Sequence, residues 1–322
     1  MSYDLRPLSL AELLDRAFSL YRRHFLLFVG IMALPSVAML IVAILMQFMD
    51  GPAPAATGAA ANPEEAIGLI VLVFGAFVLM MILYWITYAV ALGASTAAVA
   101  EIYKAQPATI AGAYGAMRGR IGRLAWLLLQ VGVRLFGVLL LVGAAAALGG
   151  AGFGVVLHPA LGIAAMVLIF GGGFLLFCWM ALRYAIVVPP AVLEDHTASE
   201  SIARSVELTY GNRWRVLVLL IFTGIVNYAG LMLFQWPFLA AAMIAGPETT
   251  TGFWLNLSGA VTGAAASAVT SPLAVVAMAV LYYDLRIRKE GLDLEIMIAG
   301  LGGDSTSAPP PDAGGRGYIL PG

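Results

Sequence analysis

The chain has 322 residues, of which 61% are apolar and 11% charged, with a formal net charge of −1. Soluble domains carry about 25% charged residues, so this composition excludes an ordinary water-soluble globule and points to a chain that uses lipid as its solvent. A lone cysteine, Cys178, excludes an intramolecular disulfide and reads as a small soft hydrophobe among helices.

The chain opens on a polar-apolar mixture. Ser9 followed by Glu12 is a capping-box pattern, and Leu10, Leu13, Leu14, Phe18 and Tyr21 recur on one helical face. An amphipathic helix in the headgroup plane is predicted. It serves either as a sensing or docking surface or simply as a lead into the first span. Arg22 and Arg23 close it, and a first span follows over 26–49. That run is too long for a signal-peptide core, and Ala53-Pro54-Ala55 is a poor cleavage site, so the span is expected to be retained. The Ala/Gly/Pro-rich stretch 51–63 reads as a disordered loop. A second span over 67–96 ends in small residues at four-residue spacing, Ala89, Gly93 and Ala97.

The third span, 124–148, carries Arg134. Ten residues past Leu124, it lies roughly 15 Å into the bilayer at 1.5 Å per residue. An Arg facing lipid there costs from about 3 to more than 10 kcal/mol, so it is expected to face the bundle interior or an aqueous pocket. Gln130 lies one turn earlier on the same face, and Thr223 with Asn227 forms a second polar pair in the fifth span. Two readings stand: a pocket for an anionic headgroup made by Arg134, Gln130, Asn227, Thr223 and Arg183, or a structural Arg134 tying helices together. Gly150-Ala151-Gly152-Phe153-Gly154 reads as a flexible turn before the fourth span, 161–188. Arg183 in that span lies close to Pro189-Pro190, near enough to the edge to snorkel.

A second amphipathic stretch, 197–214, displays Ser199, Ile202, Val206, Leu208, Tyr210 and Trp214, with Arg213 and Arg215 at its end. The fifth span is predicted over 216–245 and the sixth over 253–283. In the sixth, Gly259, Gly263, Ser267 and Ser271 form a small-residue stripe suited to an intramolecular seam, with Pro272 a candidate kink. Beyond it Asp284 and Arg288 are an i, i+4 pair, Tyr282 and Tyr283 suit the interface, and Gly291 suits a helix C-cap. The stretch 302–322 reads as a disordered cytoplasmic tail.

Of 17 Lys and Arg residues, all but Arg134 and Arg183 fall in alternate connecting stretches. The loops over 50–65, 149–160 and 246–252 hold none, which the positive-inside rule assigns to the non-cytoplasmic side. Both termini are thereby expected in the cytoplasm, in a cytoplasmic (inner) membrane. Arg22, Arg23, Arg123, Arg213 and Arg215 line a basic rim that favours anionic lipids. Basic residues spread over four juxtamembrane stretches do not make a nucleic-acid module.

Ser9, Thr109 and Ser199 line up, as do Arg23, Arg123 and Arg213, each set preceding or opening a similar unit. Three helical hairpins, about 1–100, 101–190 and 191–301, form a candidate internal repeat within one membrane domain of residues 1–301. His24, His158 and His196 are scattered, so neither metal spacing nor a Ser/His/Asp set is visible, and no cofactor is expected. No span carries a carboxylate or His at depth of the kind ion-coupled transport uses.

The N-terminal Arg6-Pro7-Leu8-Ser9-Leu10-Ala11-Glu12-Leu13-Leu14-Asp15-Arg16 and the closing Leu281-Tyr282-Tyr283-Asp284-Leu285-Arg286-Ile287-Arg288-Lys289-Glu290-Gly291 resemble the two ends of the glycerophosphoryl diester phosphodiesterase membrane domain family. Arg183, Val192-Leu193-Glu194, Ser201 and Arg204 to Arg215 extend the likeness. The resemblance implies a membrane domain that accompanies a soluble catalytic barrel in fused proteins; that barrel's carboxylate- and His-rich sequence does not occur in this chain. The expectation is an all-α, six-span bundle with amphipathic helices before spans 1, 3 and 5. It is expected to be non-catalytic, binding membrane lipids or supporting a cytoplasmic or membrane protein partner. The competing expectation is a transporter or lipid translocator with its substrate at Arg134.

Overall fold

A computed structural model describes residues 7–50, 63–156, 158–246 and 249–291, and the described residues contain helices and no strand. In chain order these are α1 (Leu10–Arg23), α2 (Phe25–Asp50), α3 (Pro63–Tyr103), α4 (Ile110–Gly115), α5 (Ile121–Val156), α6 (Pro159–Arg183), α7 (Val188–Leu193), α8 (Ala198–Thr209), α9 (Arg213–Phe234), α10 (Trp236–Ala245) and α11 (Thr250–Glu290). Six of them, α2, α3, α5, α6, α9 and α11, are long and apolar enough to cross a membrane. The fold is an all-α helical membrane bundle. The tail 302–322 and, apart from Pro63 at the start of α3, the loop 51–63 lie outside the described residues.

Short helices α1, α4 and α8 precede the first, third and fifth spans, and their starts follow from local chemistry. Ser9 Oγ accepts the Glu12 N–H while the Glu12 carboxylate accepts the Ser9 N–H, a complete capping box. Thr109 accepts the Gly112 N–H at 3.0 Å. At the third position the cap is Thr197, again a full box with Glu200, so Ser199 lies inside α8. The helix starts where side chain and N3 carboxylate satisfy each other, two residues earlier than the Ser9/Thr109/Ser199 alignment placed it. Short helix, span and span thus recur three times, with α7 added before the third set.

α11 is the central element, packing on α1, α2, α3, α8, α9 and α10. Its buried residues run almost continuously from Pro272 to Ile287, and the helix passes through Pro272 without ending. Around it the core gathers Leu13 and Leu20 of α1, Phe28 and Ile31 of α2, Ala91 and Ala98 of α3, Leu124 of α5 and Leu208 of α8. All of this lies at the end of the bundle where the basic residues collect, called here the basic end. Gly93 permits the approach of α3 to its neighbours: a Cβ there would meet Met117 Sδ at 2.6 Å and Leu124 Cδ1 at 2.7 Å.

Two expected elements differ. The run 216–245 is broken at Gln235 into α9 and α10, because Pro237 supplies no N–H for the Leu233 carbonyl and its ring crowds that carbonyl. The Gly150–Gly154 run is helical rather than a turn, extending α5 to Val156 and leaving only residues 157–158 before α6. Its glycines allow close helix contact instead: a Cβ on Gly162 of α6 would lie 2.4 Å from the Gly150 carbonyl oxygen and 2.6 Å from Gly154 Cα. Gly291 closes α11 in the left-handed conformation, φ 64°, its N–H donating to the Ile287 carbonyl.

Candidate functional site

The polar chemistry of the molecule collects at the basic end, on carboxylates that successive short helices deliver to α11. Asp284, nearly two turns before the end of α11, has a fully buried side chain. Its Oδ1 accepts the Leu8 N–H at 2.7 Å, and its Oδ2 lies 3.2 Å from Arg215 and 3.0 Å from Arg288. Both guanidinium groups also donate to the Leu8 carbonyl oxygen. One residue ahead of α1, the start of α9 and the end of α11 are therefore locked by a single carboxylate with two cations and a backbone donor.

A second junction forms at the Glu194-Asp195 pair between α7 and α8. Glu194 turns toward α8 and α11, accepting hydrogen bonds from the Tyr282 hydroxyl and Arg204 Nε (3.2 Å), with His196 Nε2 at 2.8 Å and Arg286 Nε at 3.6 Å. Arg204 continues to Glu207 and Glu290, and Glu290 to Arg286. Asp195 turns the other way, to Arg120 and Arg123 at 2.8 Å each. Those two arginines also bind the Val192, Ala191 and Asp195 carbonyls, closing the C-terminus of α7. Asp195 adopts φ 56°, a left-handed conformation that Asp tolerates better than most residues, and it lets adjacent carboxylates diverge.

Electrostatics follow from this geometry. Burial pushes the Glu194 carboxyl up, but the Tyr282 hydrogen bond and the charges of Arg204, Arg286 and His196 outweigh it, and the net shift is downward. The Arg123 hydrogen bond, aided by Arg120, holds Asp195 below its ordinary value. Glu200 is lowered by the Thr197 N–H of its capping box. Such carboxylates are fixed as anions with their acceptor sites filled, an arrangement that fastens helices rather than shuttles protons. Among the described residues, no group of three or more His, Cys, Asp or Glu could hold a metal ion.

The residues singled out by sequence occupy separate environments. Arg134 continues the stripe of Leu124, Leu127 and Val131, which are buried, yet its side chain is exposed, with Gln130 Oε1 at 3.4 Å. The stripe is buried from Leu124 to Val131 and open at Arg134, although α5 goes on to pack against α6 at Val142 and Gly150. Asn227 donates to Thr270 (2.9 Å) and Ser271 (3.4 Å) of α11, and Thr223 is buried and bonded to carbonyls of its own helix. These polar groups serve the α9–α11 seam. The small residues of α11 serve its contact with Gln235 and α10: a Cβ on Gly263 would meet Gln235 Cδ at 2.9 Å and one on Gly259 would meet Phe238 at 3.3 Å, while the Ser267 and Ser271 hydroxyls lie 3.2 Å apart on α11 itself. Arg22 and Arg23 are exposed in the last turn of α1. Arg123 and Arg215 belong to the two junctions above, and Arg183 and Arg213 stand over the Trp179 ring at 4.3 and 5.5 Å.

Sequence reasoning missed Glu194, Asp195 and Arg204 as a centre. The available signal was adjacent carboxylates between a Pro-Pro helix start and a capping box, in a chain whose acidic residues are few. A shallow apolar cleft of about 460 Å³ at the distal end, lined by Phe238, Trp254, Leu257, Ser258, Val261 and Thr262, is remote in sequence from all of these charged groups.

A family model described as Domain of unknown function (DUF7847) matches residues 121–285, a little over half of the chain. It spans α5 to the last turns of α11 and so contains Glu194, Asp195, Arg204, Arg215, Tyr282 and Asp284, but not Leu8. No curated protein and no solved structure matches the chain.

Proposed function

We propose, on the premise that the chain belongs to the DUF7847 family, that it is a non-catalytic integral membrane module that binds anionic lipid and presents its basic end to a partner. The observation that carries the reading is the state of the carboxylates. Asp284, Glu194 and Asp195 are each held by two arginines, which makes them struts. Among the described residues Arg183 and Arg213 meanwhile remain at the rim without a carboxylate, where headgroups lie. The alternation of basic and non-basic connections supports placing this end on the cytoplasmic face of the inner membrane, with both termini there. The meeting of Leu8 with Asp284 and Arg288 joins the two terminal motifs that resemble the glycerophosphoryl diester phosphodiesterase membrane domain, and supports a role near lipid metabolism.

A lipid translocator is the second reading, favoured by Arg134: a cation on the stripe of Leu124, Leu127 and Val131, exposed just past its buried part. Reconstitution separates the two. The purified protein is placed in vesicles with a fluorescent phospholipid, and lipid retention by native mass spectrometry is measured beside transbilayer movement. Selective retention of anionic lipid without accelerated movement is the expected result. Rapid movement that is abolished by Arg134→Gln replaces the module with the translocator.

A further inference from the structure

We propose that Arg183, Arg213 and Lys289, arrayed around Trp179 and Tyr210, form a cradle for the phosphate group of an anionic phospholipid at the edge of the membrane. The inference rests on the lipid-binding reading and names its site and ligand.

The groups come from three elements. Arg183 ends α6, Arg213 begins α9, and Lys289 lies in the last turn of α11. They are interleaved with aromatic rings: Arg183 and Arg213 share the Trp179 ring, while Arg213 and Lys289 share the Tyr210 ring at 5.7 and 5.9 Å. Ser205 Oγ donates to the Arg183 carbonyl at 2.8 Å, pinning α8 to the end of α6. Lys289 donates one hydrogen bond to the Glu207 carbonyl and retains two further N–H donors. The scaffold is thus built from backbone contacts that leave the charges for something else.

What distinguishes these cations is their lack of an anion. Among the described residues, the guanidinium groups of Arg183 and Arg213 meet no carboxylate and donate no hydrogen bond, and the Nε of each is buried without a partner. Each carries five N–H donors in a planar fork that matches phosphate oxygens. Ring faces attract the positive charge but accept few of those hydrogens. The adjacent acids are already taken: Glu207 faces Arg204 at 3.2 Å, and Glu290 is shared by Arg204 and Arg286. The contrast is with Arg120, Arg123, Arg204, Arg215, Arg286 and Arg288 nearby, every one of which has a carboxylate within 4 Å.

Position selects a lipid as the source of the phosphate. Arg183 and Arg213 sit where apolar helices end, and Trp179 (40% exposed), Tyr210 (69%) and Trp214 (69%) present the aromatic surface of a membrane-water boundary. A phosphodiester in this cradle would accept from both arginines while its acyl chains lie along the exposed face of α6.

The test is native mass spectrometry of the full chain in detergent, titrated with phosphatidylglycerol or phosphatidylcholine, and with inorganic phosphate as competitor. Wild type should prefer phosphatidylglycerol. Arg183→Gln with Arg213→Gln should lower that binding at least tenfold without changing phosphatidylcholine binding, whereas Arg134→Gln should leave both as they are. Lys289→Gln, at an exposed position that does not threaten folding, should give a two- to threefold loss. Millimolar inorganic phosphate should not displace the lipid. If wild-type preference survives in both the double variant and Lys289→Gln, the cradle is overturned while lipid binding stands. If wild type shows no preference, both fall. Displacement by inorganic phosphate overturns the lipid source and makes this a site for soluble phosphate.

Discussion

Val276 of α11 and Leu141 of α5 are both aliphatic residues inside long apolar helices, yet Val276 is fully buried and Leu141 is 73% exposed. The difference belongs to the two halves of the bundle. At the basic end α3 presents Ala89, Ala91, Gly93, Ala94, Ala97 and Ala98, which let helices approach closely, and the short helices α1, α7 and α8 fill the remaining space. In the distal half the same helix presents Val71, Leu72, Phe74 and Leu79, all more than 60% exposed. In lipid, burying a Leu against protein gains little over leaving it among acyl chains, so packing density and polar bonds decide where helices hold together. The molecule is fastened at one end by small residues and ion pairs, and the other end is left to the bilayer.

Breaking the fastened end should have the largest effect. Asp284→Ala strands Arg215 and Arg288 beside a buried site, and the loss of one partner from a buried ion pair costs about 3–5 kcal/mol, so a large drop in thermal unfolding temperature in detergent is expected. The distal half has a comparable weak point where backbone meets backbone. Gly162→Ala drives a methyl group into backbone of α5 that cannot yield, and overpacking of this kind costs about 1–3 kcal/mol, measurable by the same unfolding assay. A similar cost at Gly171, where a Cβ meets nothing within 4 Å, would erase the contrast.

Acid sharpens the comparison, because the carboxylates held by cations among the described residues lie at the fastened end. Glu194 and Asp195 have folded-state pKa values below their ordinary ones, so their contribution is complete above the ordinary carboxylate range, about pH 4, and is lost as pH falls through the lower folded values. The unfolding temperature should be level from pH 7 to about 5 and decline below about 4, with a shallower decline in Glu194→Gln. Asp195→Asn should cost less, at most about 1 kcal/mol, because the Asp195 side chain is 60% exposed. The smallest effect is expected at Arg134→Gln, within about 0.5 kcal/mol in detergent, since among the described residues the exposed side chain bonds to Gln130 and no other. A loss as large as that of Asp284→Ala would show that the distal half is closed in solution.

Local chemistry in the sequence determined the six spans, the short helices before three of them, the Ser9 capping box, the Gly291 cap and the gathering of basic residues at alternate connections. Each is set within a few residues, by apolar run length, cap geometry or charge count. The Pro237 break and the helical Gly150–Gly154 run were less legible, because hydropathy does not register a missing N–H or a close helix contact. Only the tertiary structure decided that Leu8 meets Asp284 across 276 positions, that Glu194 and Asp195 diverge to opposite neighbours, and that Arg183 and Arg213 share one tryptophan and, among the described residues, meet no carboxylate. It also decided that Arg134, on a stripe the periodicity turns inward, stands exposed. Periodicity fixes the face of a helix; whether another helix lies opposite that face depends on packing from distant parts of the chain.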